Sequence, residues 1–341
     1  MTDPSDKNFS FLEPLPTRMK TGREPLNLTR QSFQGYLLAL EGGGTRSQAV
    51  LMDNEARVLE TAQSSDVNIN FTSFEQAQQA VQAAVRDVLK AADIPGEEVS
   101  LHVSALVGPR FGAETYGALL PNAVYHYYNE MDVVFARAGI YEPNGVAVVA
   151  GTGATAAAVR KKDNQTAVYG GWGALLGDEG SGYAMGLMAL RAAVRAFEGR
   201  TLAPTRLVET ICQHFDLNEP NFRRELTILA YQKPLSRNEI AQLAPEVTRL
   251  AEQKDPVALQ ITQKVSRDLA TLALHAARQL FEPSDVFDLV VAGGLTHAGD
   301  LLLAPLKEGL AHEFPHSKFQ IGKKDPATAL GHLALYNNSK D

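Results

Sequence analysis

The stretch Leu37–Val50, LLALEGGGTRSQAV, decides how the chain is built. Leu37, Leu38, Ala39 and Leu40 form a short unbroken apolar run, the pattern of a strand covered on both faces. Glu41 closes that strand, and Gly42, Gly43, Gly44 and Thr45 follow at once. Three successive glycines let the backbone come close to a ligand, and their N–H groups with the Thr45 hydroxyl suit an anion. Ser47–Met52 is apolar again, so the loop joins two strands, whereas a P-loop needs a lysine and a following helix. An ordinary glycine hairpin is the plainer alternative, but it needs fewer glycines.

Outward from this unit, Asp53-Asn54-Glu55 reads as a hairpin turn into a strand at Arg57–Thr61. Helical spacing over Phe74–Ala92 stops at Asp93-Ile94-Pro95-Gly96. Val99–Leu106 and Ala123–Tyr128 read as strands, and Val133–Ala138 as a helix. This is an α/β layout with a mixed sheet. Val146–Arg160, VAVVAGTGATAAAVR, then repeats the opening, with Gly42 on Gly151 and Gly44 on Gly153. Two strand–glycine–strand units imply a duplicated architecture with a ligand between the halves. Gly151–Ala156 also fits the dinucleotide pattern G-x-G-x-x-A. That pattern opens a full helix, whereas here a turn at Lys161–Gln165 leads into another strand, Thr166–Tyr169.

A third glycine-dense stretch, GGWGALLGDEGSG over 170–182, encloses the single tryptophan and an Asp-Glu pair. A helix from Ser181 to Phe197 follows, so capping accounts for Asp178, Glu179 and Ser181 but not for the remaining glycines. A ligand loop accounts for both. Pro204–Phe215, Phe222–Ala230, Asn238–Gln253 and Pro256–Phe281 read as a helical subdomain. Asp285–Val291 is a buried strand running into Gly293-Gly294, followed by a helix at Asp300–Leu310, an edge strand at Phe319–Ile321 and a last helix at Pro326–Tyr336.

Composition narrows the function classes. The 341 residues carry a net charge of −7, which argues against nucleic acid as a partner. No apolar run reaches membrane-spanning length. Residues 1–35 are polar and proline-studded with no apolar signal core, a loosely held tail, and the cytoplasm is the expected location. Cys212 is the single cysteine and reads as a small buried residue in a helix. The eight histidines show no ligand spacing.

Glycine loops after strands at Glu41–Thr45, Gly151–Gly153 and Gly293–Gly294, in that order, resemble the two-lobed actin-like ATPase fold, ribonuclease H-like in each lobe. Within it, Glu41–Ser47, Gly151–Gly153 and Gly171-Trp172-Gly173…Gly177-Asp178-Glu179-Gly180-Ser181 resemble the N-acetylglucosamine kinase branch of the BadF/BadG/BcrA/BcrD ATPase family. The resemblance spans about residues 36–337. It implies a first lobe over 36–140 and a second over 141–341, the latter holding the helical insertion. It also implies ATP and Mg²⁺ as cofactors and an amino sugar as substrate, and it leaves a homodimer open.

Carried over by residue, Gly43, Gly44, Thr45, Thr152 and Gly153 cradle phosphate and Glu41 serves the magnesium shell. Gly293 and Gly294 lie on the adenosine side. Asn68, Gly171, Trp172, Gly173 and Asp178 meet the sugar, and Asp132 is the catalytic base. On sequence alone Asp132 reads equally well as the N-cap of a helix from Val133. The dehydratase-activator ATPases of the same group need a cysteine-ligated iron–sulfur cluster, which one cysteine per chain does not suit. A DNA-binding sugar sensor needs a helix pair that the prolines of the first 35 residues break.

Overall fold

The computed structural model describes residues 20–22, 34–201 and 203–338. In chain order the strands are β1 (Lys20–Gly22), β2 (Tyr36–Gly42), β3 (Ser47–Met52), β4 (Val58–Ser64), β5 (Val99–Leu106), β6 (Val124–Tyr127), β7 (Gly145–Ala150), β8 (Ala154–Arg160), β9 (Gln165–Gly170), β10 (Asp288–Ala292) and β11 (Lys318–Ile321). The helices are α1 (Phe74–Ala92), α2 (Ala113–Tyr116), α3 (Glu130–Arg137), α4 (Gly182–Phe197), α5 (Leu207–Phe215), α6 (Phe222–Tyr231), α7 (Arg237–Ala241), α8 (Ala244–Glu252), α9 (Pro256–Leu280), α10 (Asp300–Ala311) and α11 (Pro326–Asn338).

The two halves build the same sheet. The first has the order β4-β3-β2-β5-β6, and the second β9-β8-β7-β10-β11 with β1 added at its outer edge. In each, the first three strands are antiparallel and the last two join in parallel. β2 and β7 are therefore equivalent central strands, and the loops at Gly42 and Gly151 leave them at matching ends. The glycine repeat in the sequence marks a real duplication.

Why Leu37–Leu40 is apolar at every position is clear from what covers it. Leu38 and Leu40 pack with Val81, Val85 and Val88 of α1. Leu37 and Ala39 point the other way, onto Leu330 and Leu333 of α11 and Val133 and Ala136 of α3. A strand clad by helices on both faces has no polar side to show. Leu40→Ala would cost about 3 kcal/mol by the usual scale for large-to-small core changes.

Three boundaries differ from the sequence reading. The last helix, assigned to the second lobe with the rest of 141–341, packs on the first sheet and completes its core. The expected helix Asn238–Gln253 is two, α7 and α8. Pro245 lies in the first turn of α8, where its missing N–H costs nothing, and it ends the preceding turn. Of the expected tail, residues 20–22 form an edge strand on β9; the remainder up to residue 33 lies outside the described residues. Among the described residues no helix is long and apolar enough to cross a membrane.

Candidate active site

The equivalent glycine loops converge on a cleft of about 840 Å³ between the lobes. Its lining includes Glu41, Gly43, Gly44, Thr45, Thr152, Gly293 and Gly294, so six of the seven expected cofactor contacts and Glu41 share one space with Asn238 and His297. The first loop is held by Gly43 N–H donating to the Arg46 carbonyl at 3.1 Å, and by Val67 N–H donating to the Gly43 carbonyl at 3.2 Å. The second rests on the start of α4: Gly182 and Tyr183 N–H donate to the carbonyls of Gly151 and Thr152 at 2.8 and 3.2 Å. Thr45 and Thr152 meet across the cleft, hydroxyl to hydroxyl, at 3.0 Å, and Thr45 Oγ1 donates to Asn238 Oδ1 at 3.3 Å.

Neighbouring glycines at the third loop are constrained differently. Gly293 has φ +120°, and a Cβ there would overlap the Ala150 carbonyl, so this position needs glycine for the fold itself. Around Gly294 nothing lies within 4 Å of an added Cβ. Its openness is toward the cleft that it lines.

The expected sugar side divides. Asn68 is buried, its Oδ1 accepts from Asn70 N–H at 3.0 Å, and its Nδ2 faces Gly44, 3.7 Å from where a Cβ would stand. Gly171 and Gly173 are left-handed (φ +75° and +81°), and Gly173 lies against Phe71 of the first lobe. Trp172 is more than half exposed on this loop, with Leu175 and Leu176 beside it in the open. Asp178 is not open to solvent. It is buried with φ +63°, its Oδ1 accepts from Ala154 N–H at 3.2 Å, and its Oδ2 pairs with Arg237 Nη2 at 2.8 Å. It thus braces the second phosphate loop.

Helix α3 begins three residues earlier than its apolar pattern suggests, which brings Glu130 into the helix beside Asp132. Asn129 is the N-cap, its side chain accepting from Met131 N–H at 2.8 Å, so Asp132 is not the cap. Glu130 is the first helical residue and Asp132 the third. Side chains two apart on a helix point roughly 200° apart, so Glu130 and Asp132 leave α3 in different directions. Glu130 is the one beside Glu41: burial, then the Glu41 charge, pushes its carboxyl up to about 8. Glu41 itself is raised to about 7, chiefly by burial, with Arg137 opposing and Asp325 adding to the shift. Arg137 lies seven residues after Glu130, on the same helical face. The sequence reading did not single out Glu130 because a helix start placed at Val133 leaves that residue outside the helix.

Known proteins resemble this chain over most of its length. The chain is 25% identical over 301 residues to an N-acetylmuramic acid/N-acetylglucosamine kinase of Clostridium acetobutylicum, covering 86% of this chain and 95% of that one. It is 24% identical over 319 residues to an N-acetyl-D-glucosamine kinase of Dictyostelium discoideum, covering 89% and 98%. Its fold matches the crystal structure of a Chromobacterium violaceum protein provisionally assigned as an N-acetylglucosamine kinase. That match has a TM-score of 0.64 at 21% identity, covering 88% of this chain and 99% of that one. Residues 40–320, most of the chain, match the BadF/BadG/BcrA/BcrD ATPase family, and the chain belongs to it.

Proposed function

We propose that the protein transfers the γ-phosphoryl group of ATP to the 6-hydroxyl of an amino sugar, with N-acetylglucosamine as the first candidate. The observation that carries this reading is the meeting of two duplicated phosphate loops at Thr45 and Thr152, beside Asn68 and an inward-facing carboxylate. An interlobe cleft with loops of this kind binds the nucleotide along Gly43–Thr45, Thr152–Gly153 and Gly293–Gly294. The sugar then lies against Asn68 and the Gly171–Gly173 loop.

In the transfer, the sugar O6 forms a bond to the γ-phosphorus as the bond to the β,γ-bridging oxygen breaks, and ADP leaves. The O6 proton goes to a carboxylate, and a group with affinity for protons near neutrality suits that role. Glu130, the first residue of α3 and the one whose carboxyl feels the Glu41 charge, fits it better than Asp132 two positions on. Such reactions depend on positioning and charge neutralisation more than on covalent chemistry.

Among the described residues no three His, Cys, Asp or Glu side chains converge as a protein-only metal cage. A magnesium ion that arrives with the nucleotide needs only one or two carboxylates, and Glu41 would supply one. When bound it would neutralise charge on the phosphates. Sugar-dependent ADP release, measured over N-acetylglucosamine, glucosamine, N-acetylmuramic acid and glucose, tests the proposal. Release stimulated by the amino sugars supports it, and ADP release indifferent to every sugar contradicts it.

A further inference from the structure

Arg237 lies where the phosphate loops and the sugar side meet. Its Nη1 is 2.9 Å from where a Cβ on Gly44 would stand, and a Cβ on Gly153 would overlap its Nη2. It pairs with Asp178 at 2.8 Å, and its guanidinium carbon sits 4.8 Å from the centre of the Phe71 ring. One side chain from the helical subdomain therefore touches both phosphate loops, the Asp178 brace and the sugar loop of the opposite lobe.

Its placement is built. Ser236 caps α7 through a reciprocal box with Glu239. α7 docks flush on α4 because Gly186 has no side chain; a Cβ there would overlap the Ile240 carbonyl. Stacking on Phe71 joins Arg237 of the second lobe to the first.

A purely structural buried arginine has its donors satisfied, since each orphan is costly. Arg237 is mostly buried, with 14% of its side chain exposed. Its Nε is buried with no hydrogen-bond partner among the described residues. Of five N–H donors on the fork, a single carboxylate contact is made through Nη2. Cationic donors left unused between two anion loops call for an anion with several oxygens.

We infer that Arg237 is a catalytic residue that holds the γ-phosphoryl oxygens during transfer, with Asp178 aiming the fork from behind. This rests on the kinase reading above. Its charge strengthens its hold on the phosphoryl group as negative charge spreads over the equatorial oxygens, so its effect falls on kcat rather than on nucleotide binding.

The test compares Arg237→Gln and Arg237→Lys with wild type in amino-sugar phosphorylation, together with affinity for a non-hydrolysable ATP analogue and for ADP–aluminium fluoride with sugar. Arginines in this position contribute about 10³-fold or more to phosphoryl transfer. Expected for Arg237→Gln is a kcat loss of at least about 10²-fold, a matching loss of affinity for the aluminium fluoride complex, and near-unchanged affinity for the ATP analogue. Arg237→Lys keeps the ion pair and the fold but not the fork, and falls between; it carries the test if the Gln variant does not fold. Three results would overturn the inference: near-wild-type kcat in both variants, equal weakening of ground-state and transition-state analogues, or tighter nucleotide binding with faster turnover. A wild type that phosphorylates no sugar contradicts the functional reading itself, and the inference falls with it.

Discussion

The hydroxyls of Thr45 and Thr152 lie 3.0 Å apart although 107 residues separate them. Thr45 ends the glycine loop of the first copy of the duplicated sheet and Thr152 is the middle residue of the second, so at this contact the two halves of the molecule face one another. Thr152→Val keeps the shape and removes the hydroxyl. One hydrogen bond of about 1 kcal/mol is at stake, so the KM for ATP should rise roughly fivefold with little change in kcat. Steady-state kinetics over a range of ATP concentrations checks this.

Gly293 and Gly294 should separate fold from function in adjacent positions. Gly293→Ala forces a Cβ onto the Ala150 carbonyl at φ +120° and should cost on the order of 1–3 kcal/mol of stability. Gly294→Ala meets nothing within 4 Å and should leave the melting temperature unchanged or slightly raised while weakening nucleotide binding. Thermal melts with and without ATP distinguish the two.

Burial pulls the His102 imidazole down to about 4, while its ring Nδ1 is bonded to the Leu38 carbonyl at 3.1 Å. The unfolded chain takes up the proton near 6.5, so it gains protons first as pH falls, and the folded state loses stability from about 6.5 down to about 4. The full effect is roughly 3 kcal/mol. His102→Leu removes it. Urea unfolding at pH 7 and pH 5 should show a smaller pH effect in the variant than in wild type, and the raised carboxyls of Glu41 and Glu130, common to both proteins, cancel in the comparison.

Glu130→Gln should lower sugar phosphorylation by roughly 10²–10⁴-fold with small changes in either KM, as expected for loss of a general base. Asp132→Asn should retain activity to within about threefold, because the carboxyl that feels the Glu41 charge is that of Glu130. The reverse order of effects would return the base to Asp132.

The duplicated sheets and their glycine loops were legible because both signals are local. An unbroken apolar run means a strand clad on both faces, and successive glycines at its end mean a close approach. Arg237 and Glu130 were not legible for two different reasons. Arg237 lies 59 residues from its partner Asp178, and an arginine just ahead of an expected helix reads as solvated until the fold brings two glycine loops around it. Glu130 depended on a helix boundary, the least certain feature of any apolar pattern, and a start placed three residues late left it outside the helix. The place of α11 was also hidden, since nothing in a short small-residue helix says which of two apolar sheets it will cover.

The most direct test of the account is the product itself. Purified protein incubated with ATP, Mg²⁺ and N-acetylglucosamine is followed by phosphorus NMR. The account predicts one-for-one appearance of ADP and a sugar phosphomonoester coupled to the two C6 protons. ADP accompanied by inorganic phosphate alone, with no phosphosugar from any amino sugar tried, would contradict it.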